Sequence, residues 1–162
     1  MKRPLLLVLV VTSLAAGCGG GGDDEPSAKQ AYLVKAEAVC AKVNTEIDKA
    51  KKQRPTSADA VPPYVKRLID LARTNVQELS ALTAPPDDAA DLKAKVLDPL
   101  TEQLKIGDAY SAKVDAAAKA KDPILLQLIT NPPTETKADL TFMKAYGFKA
   151  CVTAADTGAA SK

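Results

Sequence analysis

The chain has no histidine and no tryptophan among its 162 residues. Without histidine there is no side chain whose ordinary pKa lies near neutrality, which excludes histidine-based acid–base catalysis and histidine-ligated metal centres. Aromatic residues are few, four Tyr and two Phe. Glycine is also scarce, eight in all, and four of these form the single run Gly19 to Gly22. The remaining glycines are isolated, so no glycine-rich loop exists to cradle a phosphate. Charge of one sign is not in excess. Lys2 and Arg3 account for the formal net charge of +2, and the rest of the chain is balanced. A balanced surface argues against nucleic-acid binding, which needs a basic face to neutralise phosphates, and against a polybasic clamp on a membrane surface.

Catalytic motifs are missing as well. There is no G-x-S-x-G elbow and no S-x-x-K pair, and a serine nucleophile would lack a histidine base. Carboxylates are the one plentiful catalytic type. Asp87, Asp88 and Asp91 fall together at a helix start, and Asp98 precedes Pro99. Paired carboxylates can work as acid and base when one is desolvated. At a helix N-terminus, however, the dipole and capping account for them. The cluster also lacks the spaced oxygen ligands and turn glycine of a calcium loop. The expectation is a protein that is not an enzyme, with no cofactor and no metal.

What the chain does have begins at its N-terminus. Met1-Lys2-Arg3 is a positive start, and Pro4 to Ala16 is an apolar run broken only by Thr12 and Ser13. That run is too short to span a bilayer but suits the hydrophobic region of a signal peptide. It ends Leu14-Ala15-Ala16-Gly17-Cys18. This segment resembles the lipobox of bacterial lipoproteins, in which small residues precede a cysteine that becomes the mature N-terminus. Ala15 stands where that family favours leucine, with Leu14 one place earlier. The resemblance implies cleavage of a signal peptide spanning 1–17, a thioether-linked diacylglycerol on Cys18, and a chain lipid-anchored at the extracytoplasmic face of the cell membrane. Residues 18–27 then form a flexible tether, Gly19 to Gly22 followed by the acidic Asp23-Asp24-Glu25. Two acyl chains give stable anchoring where one is marginal.

Three cysteines in an exported chain leave an odd thiol. With Cys18 lipidated, Cys40 and Cys151 remain to pair in an oxidising compartment. Their bridge would close a loop spanning most of the domain, for which the chain-entropy model gives about 4 to 5 kcal/mol. The alternative, a redox-active pair, lacks the C-x-x-C spacing that lowers a thiol pKa.

The remaining sequence, 28–152, reads as a helical bundle domain. Ser27 and Gln30 form a capping box, after which Leu33, Ala36, Cys40, Val43, Ile47 and Ala50 recur every three or four residues. Pro62-Pro63 suits the first turn of a second helix, whose stripe runs Val65, Leu68, Ile69, Ala72, Val76, Leu79 and Leu82 before Pro85-Pro86 ends it. A third helix opens at Asp87-Asp88 and continues through Leu92, Val96, Leu100, Leu104, Gly107, Ser111 and Val114 to about Lys121. Pro99 lies inside it, which predicts a kink or two abutting helices. Asp122-Pro123 starts a short apolar segment through Ile129. Asn131-Pro132-Pro133 interrupts the chain, and a last segment from Thr134 holds Ala138, Leu140, Phe142, Met143 and Tyr146 until Gly147 stops it. Residues 153–162 read as a disordered tail. No segment alternates with the period of a strand. Four amphipathic segments with short Pro-containing turns predict an all-α fold, an antiparallel four-helix-type bundle with a kinked third helix. This order, from lipobox to early helical cysteine to the late Tyr146-Gly147 and Cys151, resembles small helical lipoproteins of high-GC Gram-positive bacteria, and implies an envelope location.

Two functions fit this reading. The first is a non-catalytic module that binds an envelope protein or another envelope component on a helical face, which requires an exposed apolar or charged patch. The second is a small-ligand binder with an apolar cavity between helices, which requires a pocket of several hundred cubic ångströms. Tyr110 and Tyr146 are the candidate ligand-facing residues, because a tyrosine at a helix interface can fill a core while its hydroxyl reaches a ligand.

Overall fold

Ser27 opens the first helix with both halves of a capping box. Its side chain accepts the Gln30 N–H at 3.2 Å, and its own N–H donates to Gln30 Oε1 at 2.9 Å. Two of the orphan donors at the helix start are thereby satisfied. Helix α1 runs Ala28–Lys52 and buries Tyr32, Ala36, Cys40, Val43 and Ala50. Lys49, Lys51 and Lys52 close its last turn, at the negative end of the dipole. In a computed structural model, residues 26–133 and 136–153 are described; Cys18, the expected signal peptide 1–17, most of the expected tether and the residues from 154 lie outside them.

A 3-10 turn at Ala58–Ala60 leads into α2, Val61–Ser80, with proline in its first turn. This helix carries the cleanest apolar stripe and packs against both α1 and α4. The next segment begins with the short helix α3, Ala89–Leu92, continues as a π-helical turn at Lys93–Leu97, and becomes α4, Asp98–Lys119. The π turn sits immediately ahead of Pro99. Proline there has no N–H to return to the carbonyl of Lys95, four residues back, and its ring crowds that carbonyl. Lys95 accepts instead the backbone N–H of Asp139 at 3.0 Å.

Lys121, at φ 53°, ends α4 in the left-handed region, and the Asp122 N–H closes back onto Ala117 at 2.9 Å. Asp122 Oδ1 accepts the N–H of Ile124 at 2.9 Å, and α5 follows at Leu125–Leu128. Helix α6 is Leu140–Tyr146; it starts at Asp139, whose carboxylate accepts the Phe142 N–H at 2.9 Å. Of the last segment expected from Thr134, therefore, only the part after Asp139 forms α6. Gly147, at φ 117°, supplies the left-handed stop. A Cβ there would meet Leu33 at 3.1 Å, so both conformation and space favour glycine.

The fold is all-helical, a bundle of six α-helices among the described residues, none of which is long and apolar enough to cross a membrane. Cys40 and Cys151 are joined by a disulfide across 111 residues. It ties the last turn of the described chain to the middle of α1. The core is in two parts. One cluster gathers Tyr32, Ala36, Cys40, Leu92, Val96, Met143, Tyr146, Phe148 and Cys151, and the other Val61, Val65, Val114, Leu125, Leu128 and Ile129.

Candidate functional site

A cavity of about 690 Å³, open to solvent on part of its perimeter, is lined by residues of both core clusters. Its walls come from α1 (Val43, Ile47), α2 (Leu68, Ile69, Ala72, Val76) and α4 (Leu100, Leu104, Gly107). Cys40, Leu79, Met143 and Cys151 bound it on the side of the first cluster, and Val65 and Ile129 on the side of the second. These helices keep the three- and four-residue periodicity of core-facing stripes, yet the stripes are incompletely covered. Of the 22 residues of α4, Val114 alone is buried. Leu68, Ile69, Ala72, Leu100 and Leu104 are half-buried and face the cavity. An apolar stripe that the described side chains cover only in part differs from the close packing expected in a closed core.

Polar groups are few and unevenly placed. On α2, Asn75 lines the cavity, and its Oδ1 is buried and accepts no hydrogen bond among the described residues. Gln103 also borders it from α4. At one end stand Lys51, Arg54, Tyr64 and Tyr110. Tyr110 donates its hydroxyl to the Leu128 carbonyl at 2.5 Å, and burial raises its pKa against the opposing influence of the Arg54 charge. Arg54 donates to the Ile129 carbonyl, so both side chains meet the α5 segment.

Tyr110 thus lines the cavity, half-buried, while Tyr146 lies elsewhere. Tyr146 is packed at the other end of the bundle with Tyr32, Phe142 and Phe148, ring centroids 5.3 to 6.4 Å away. Its hydroxyl donates to Asp88 Oδ2 at 2.7 Å, and Lys29 Nζ stands 4.2 Å above its ring. Burial, then the bond to Asp88, pushes its pKa well above the ordinary tyrosine range. The structure therefore does not bring Tyr110 and Tyr146 to one cavity. A spacing of 36 residues cannot show that two tyrosines belong to different core clusters.

The carboxylates of the α3 region take different partners. Asp88 receives the Tyr146 hydroxyl, Asp91 pairs with Lys95 at 3.0 Å, and Asp98 pairs with Lys93 at 2.5 Å. Asp88 makes no side-chain cap for α3, so its place there comes from Tyr146 rather than from the helix start. No three carboxylate or cysteine groups converge among the described residues. Large exposed apolar side chains among them are Val34 on α1 and the neighbouring pair Ile124 and Leu126, which do not form a broad patch.

The sequence reading missed the cavity wall as such, since half-covered Leu68, Ile69 and Leu104 have the same spacing as buried core residues. It did not single out Asn75. Lys49, Lys51, Lys52 and Arg54 cluster in the sequence at the end of α1, which suits a solvated helix end or a basic binding patch and does not by itself choose between them. Asn75 is the one interruption of the apolar face of α2 that could have signalled a polar contact inside. Compared with protein-family models, with curated proteins and with solved structures, the chain matches none.

Proposed function

We propose that this chain is a non-catalytic lipoprotein of the cell envelope that holds a small apolar ligand in the cavity between α1, α2 and α4. The cavity carries the proposal. Its volume, about 690 Å³, lies within the ~300–1,000 Å³ usual for small-molecule sites. Its walls are aliphatic, with a few polar groups at defined positions, the composition such sites share. Among the described residues the large exposed apolar side chains, Val34, Ile124 and Leu126, are too few for a broad protein-binding face, which favours this reading.

The three long helical segments, read as antiparallel neighbours joined by Pro-containing turns, form the container. A bend beside Pro99 would widen it at the Leu100 level. Cys18, lipidated as the lipobox resemblance implies, would hold the container off the outer membrane surface by its Gly/acidic tether. In that position it could accept an apolar molecule from the lipid phase or shield one from water.

Native mass spectrometry of the exported, gently purified protein tests this function. Extra mass retained under native conditions and lost on denaturation is expected. A bare polypeptide under both conditions, together with failure of any apolar probe to bind, would overturn the ligand-binding reading in favour of a protein partner.

A further inference from the structure

Resting on that reading, we infer that the ligand is a single-chain anionic amphiphile, a long-chain carboxylate, with its head at Arg54 and Lys51 and its chain along α2. Lys51 and Arg54 are the charged residues of the cavity wall, and no carboxylate lines it among the described residues. Neither forms an ion pair among those residues. Both are exposed, so they mark the rim rather than the interior. Arg54 spends one donor on the Ile129 carbonyl, which leaves most of its five N–H groups for a carboxylate. Tyr64 stands beside them on the wall.

The shape agrees with the charge. Wall residues on α2 extend from Tyr64 to Leu79, about 22 Å of helix at 1.5 Å per residue. Apart from the two cations and the two tyrosines beside them, the lining is mostly apolar, with Asn75, Gln103, Thr130 and Thr136 as its polar members. A long hydrocarbon chain needs no hydrogen bonds there. A peptide would bring a donor and an acceptor at every residue and leave most of them unmet. A neutral apolar molecule would gain nothing from the two cations.

Displacement of the neutral fluorophore N-phenyl-1-naphthylamine from the full-length chain, by hexadecanoate or by hexadecan-1-ol, tests the inference. Gly107→Leu, whose side chain would enter the cavity beside Ile69, distinguishes dye in the cavity from dye bound elsewhere. Hexadecanoate is expected to displace the dye at roughly tenfold lower concentration than the alcohol, the advantage of a charge-assisted bond. The double variant Lys51→Gln, Arg54→Gln should lose the preference for the acid, with displacement by the alcohol in the same variant as the reference. Equal displacement by acid and alcohol, or a preference that survives in the double variant, would overturn the anionic head while leaving the apolar cavity as a binding site. Dye binding that is absent, or unchanged by Gly107→Leu, would remove the cavity reading and the inference together.

Discussion

The Glu37 carboxylate accepts the backbone N–H of Ala150 at 2.7 Å, across 113 residues of chain. It also accepts the N–H of Lys149 at 2.9 Å, so it caps the last described helical turn from outside that turn. Cys40 and Asn44 follow on the same face of α1. Cys40 bonds to Cys151, and Asn44 Nδ2 donates to the Ala150 carbonyl at 2.9 Å. Three side chains at helical spacing thus hold one turn by an anionic cap, a covalent bond and an amide.

Reduction of the disulfide should therefore cost about 4 to 5 kcal/mol, less whatever the cap and the amide retain. Glu37→Gln should cost about 1 to 2 kcal/mol, because a charged acceptor at a helix start becomes a neutral one. The two losses should not add, since both act on the same turn. Urea unfolding of oxidised and reduced protein, with and without Glu37→Gln, measures this. A midpoint indifferent to Glu37→Gln would mean that the disulfide alone holds the turn.

Pro99 makes a second prediction. Because it has no N–H for the Lys95 carbonyl, that acceptor is left to Asp139, whose side chain in turn caps α6. Pro99→Ala supplies the missing N–H and relieves the crowding that accompanies the π turn. The helix should then close on itself, and the Asp139 amide should exchange with solvent faster than in the parent. Hydrogen exchange at Asp139 and Phe142 reads this directly. Protection unchanged in Pro99→Ala would show that α6 is held without the Lys95 bond.

How far the fold was legible follows from these contacts. Periodicity and caps located α1, α2 and the α3–α4 segment, because each is long and carries one apolar stripe with proline or serine at its start. Gly147 was legible because only a left-handed position needs it. The short helices were less so. The start of α6 was not legible, since Asp139, its N-cap, bonds through its backbone N–H to the carbonyl of Lys95, far away in sequence. The partner of Glu37 was not legible at all, being a backbone amide in another element. The site was hidden for a different reason. A half-covered Leu104 and a buried Val114 share one stripe, and spacing cannot tell a side chain facing a neighbour from one facing a cavity.

Tyr146 sets the alkaline limit. Its pKa is raised by burial and by the bond to Asp88, and those of Tyr32 and Tyr110 are raised by burial. In each case the unfolded chain loses its proton first, near the ordinary value of 10.0. The stability these groups contribute is complete below about pH 10 and is lost as pH rises toward the folded-state values. Tyr146→Phe should cost about 1.5 to 3 kcal/mol at neutral pH, through the lost bond to Asp88. It should also make the decline above pH 10 shallower, without abolishing it, because Tyr32 and Tyr110 remain. Thermal unfolding from pH 7 to 11 tests both. A decline as steep in Tyr146→Phe as in the parent would place the alkaline sensitivity elsewhere.

Two substitutions in the cavity wall should raise stability, and that outcome bears on what the wall is for. Gly107 sits inside α4, where glycine costs about 1 kcal/mol relative to alanine. A Cβ there would meet Ile69 at 3.6 Å, an ordinary contact, so Gly107→Ala should recover most of that. Asn75→Leu removes a buried acceptor without a partner among the described residues, worth about 1 to 3 kcal/mol, and places an apolar side chain among apolar neighbours. A closed core under no demand beyond stability would gain from both changes. A wall shaped for a ligand forgoes them, since glycine keeps the space beside Ile69 open and the amide keeps one acceptor inside. Melting temperatures of the two variants should rise, with the gain from Gly107→Ala offset by weaker binding of a long-chain ligand. A fall in melting temperature for Asn75→Leu would mean that the amide oxygen is satisfied in solution. A rise for Gly107→Ala with binding undiminished would mean that the ligand does not reach the Gly107 level of the cavity.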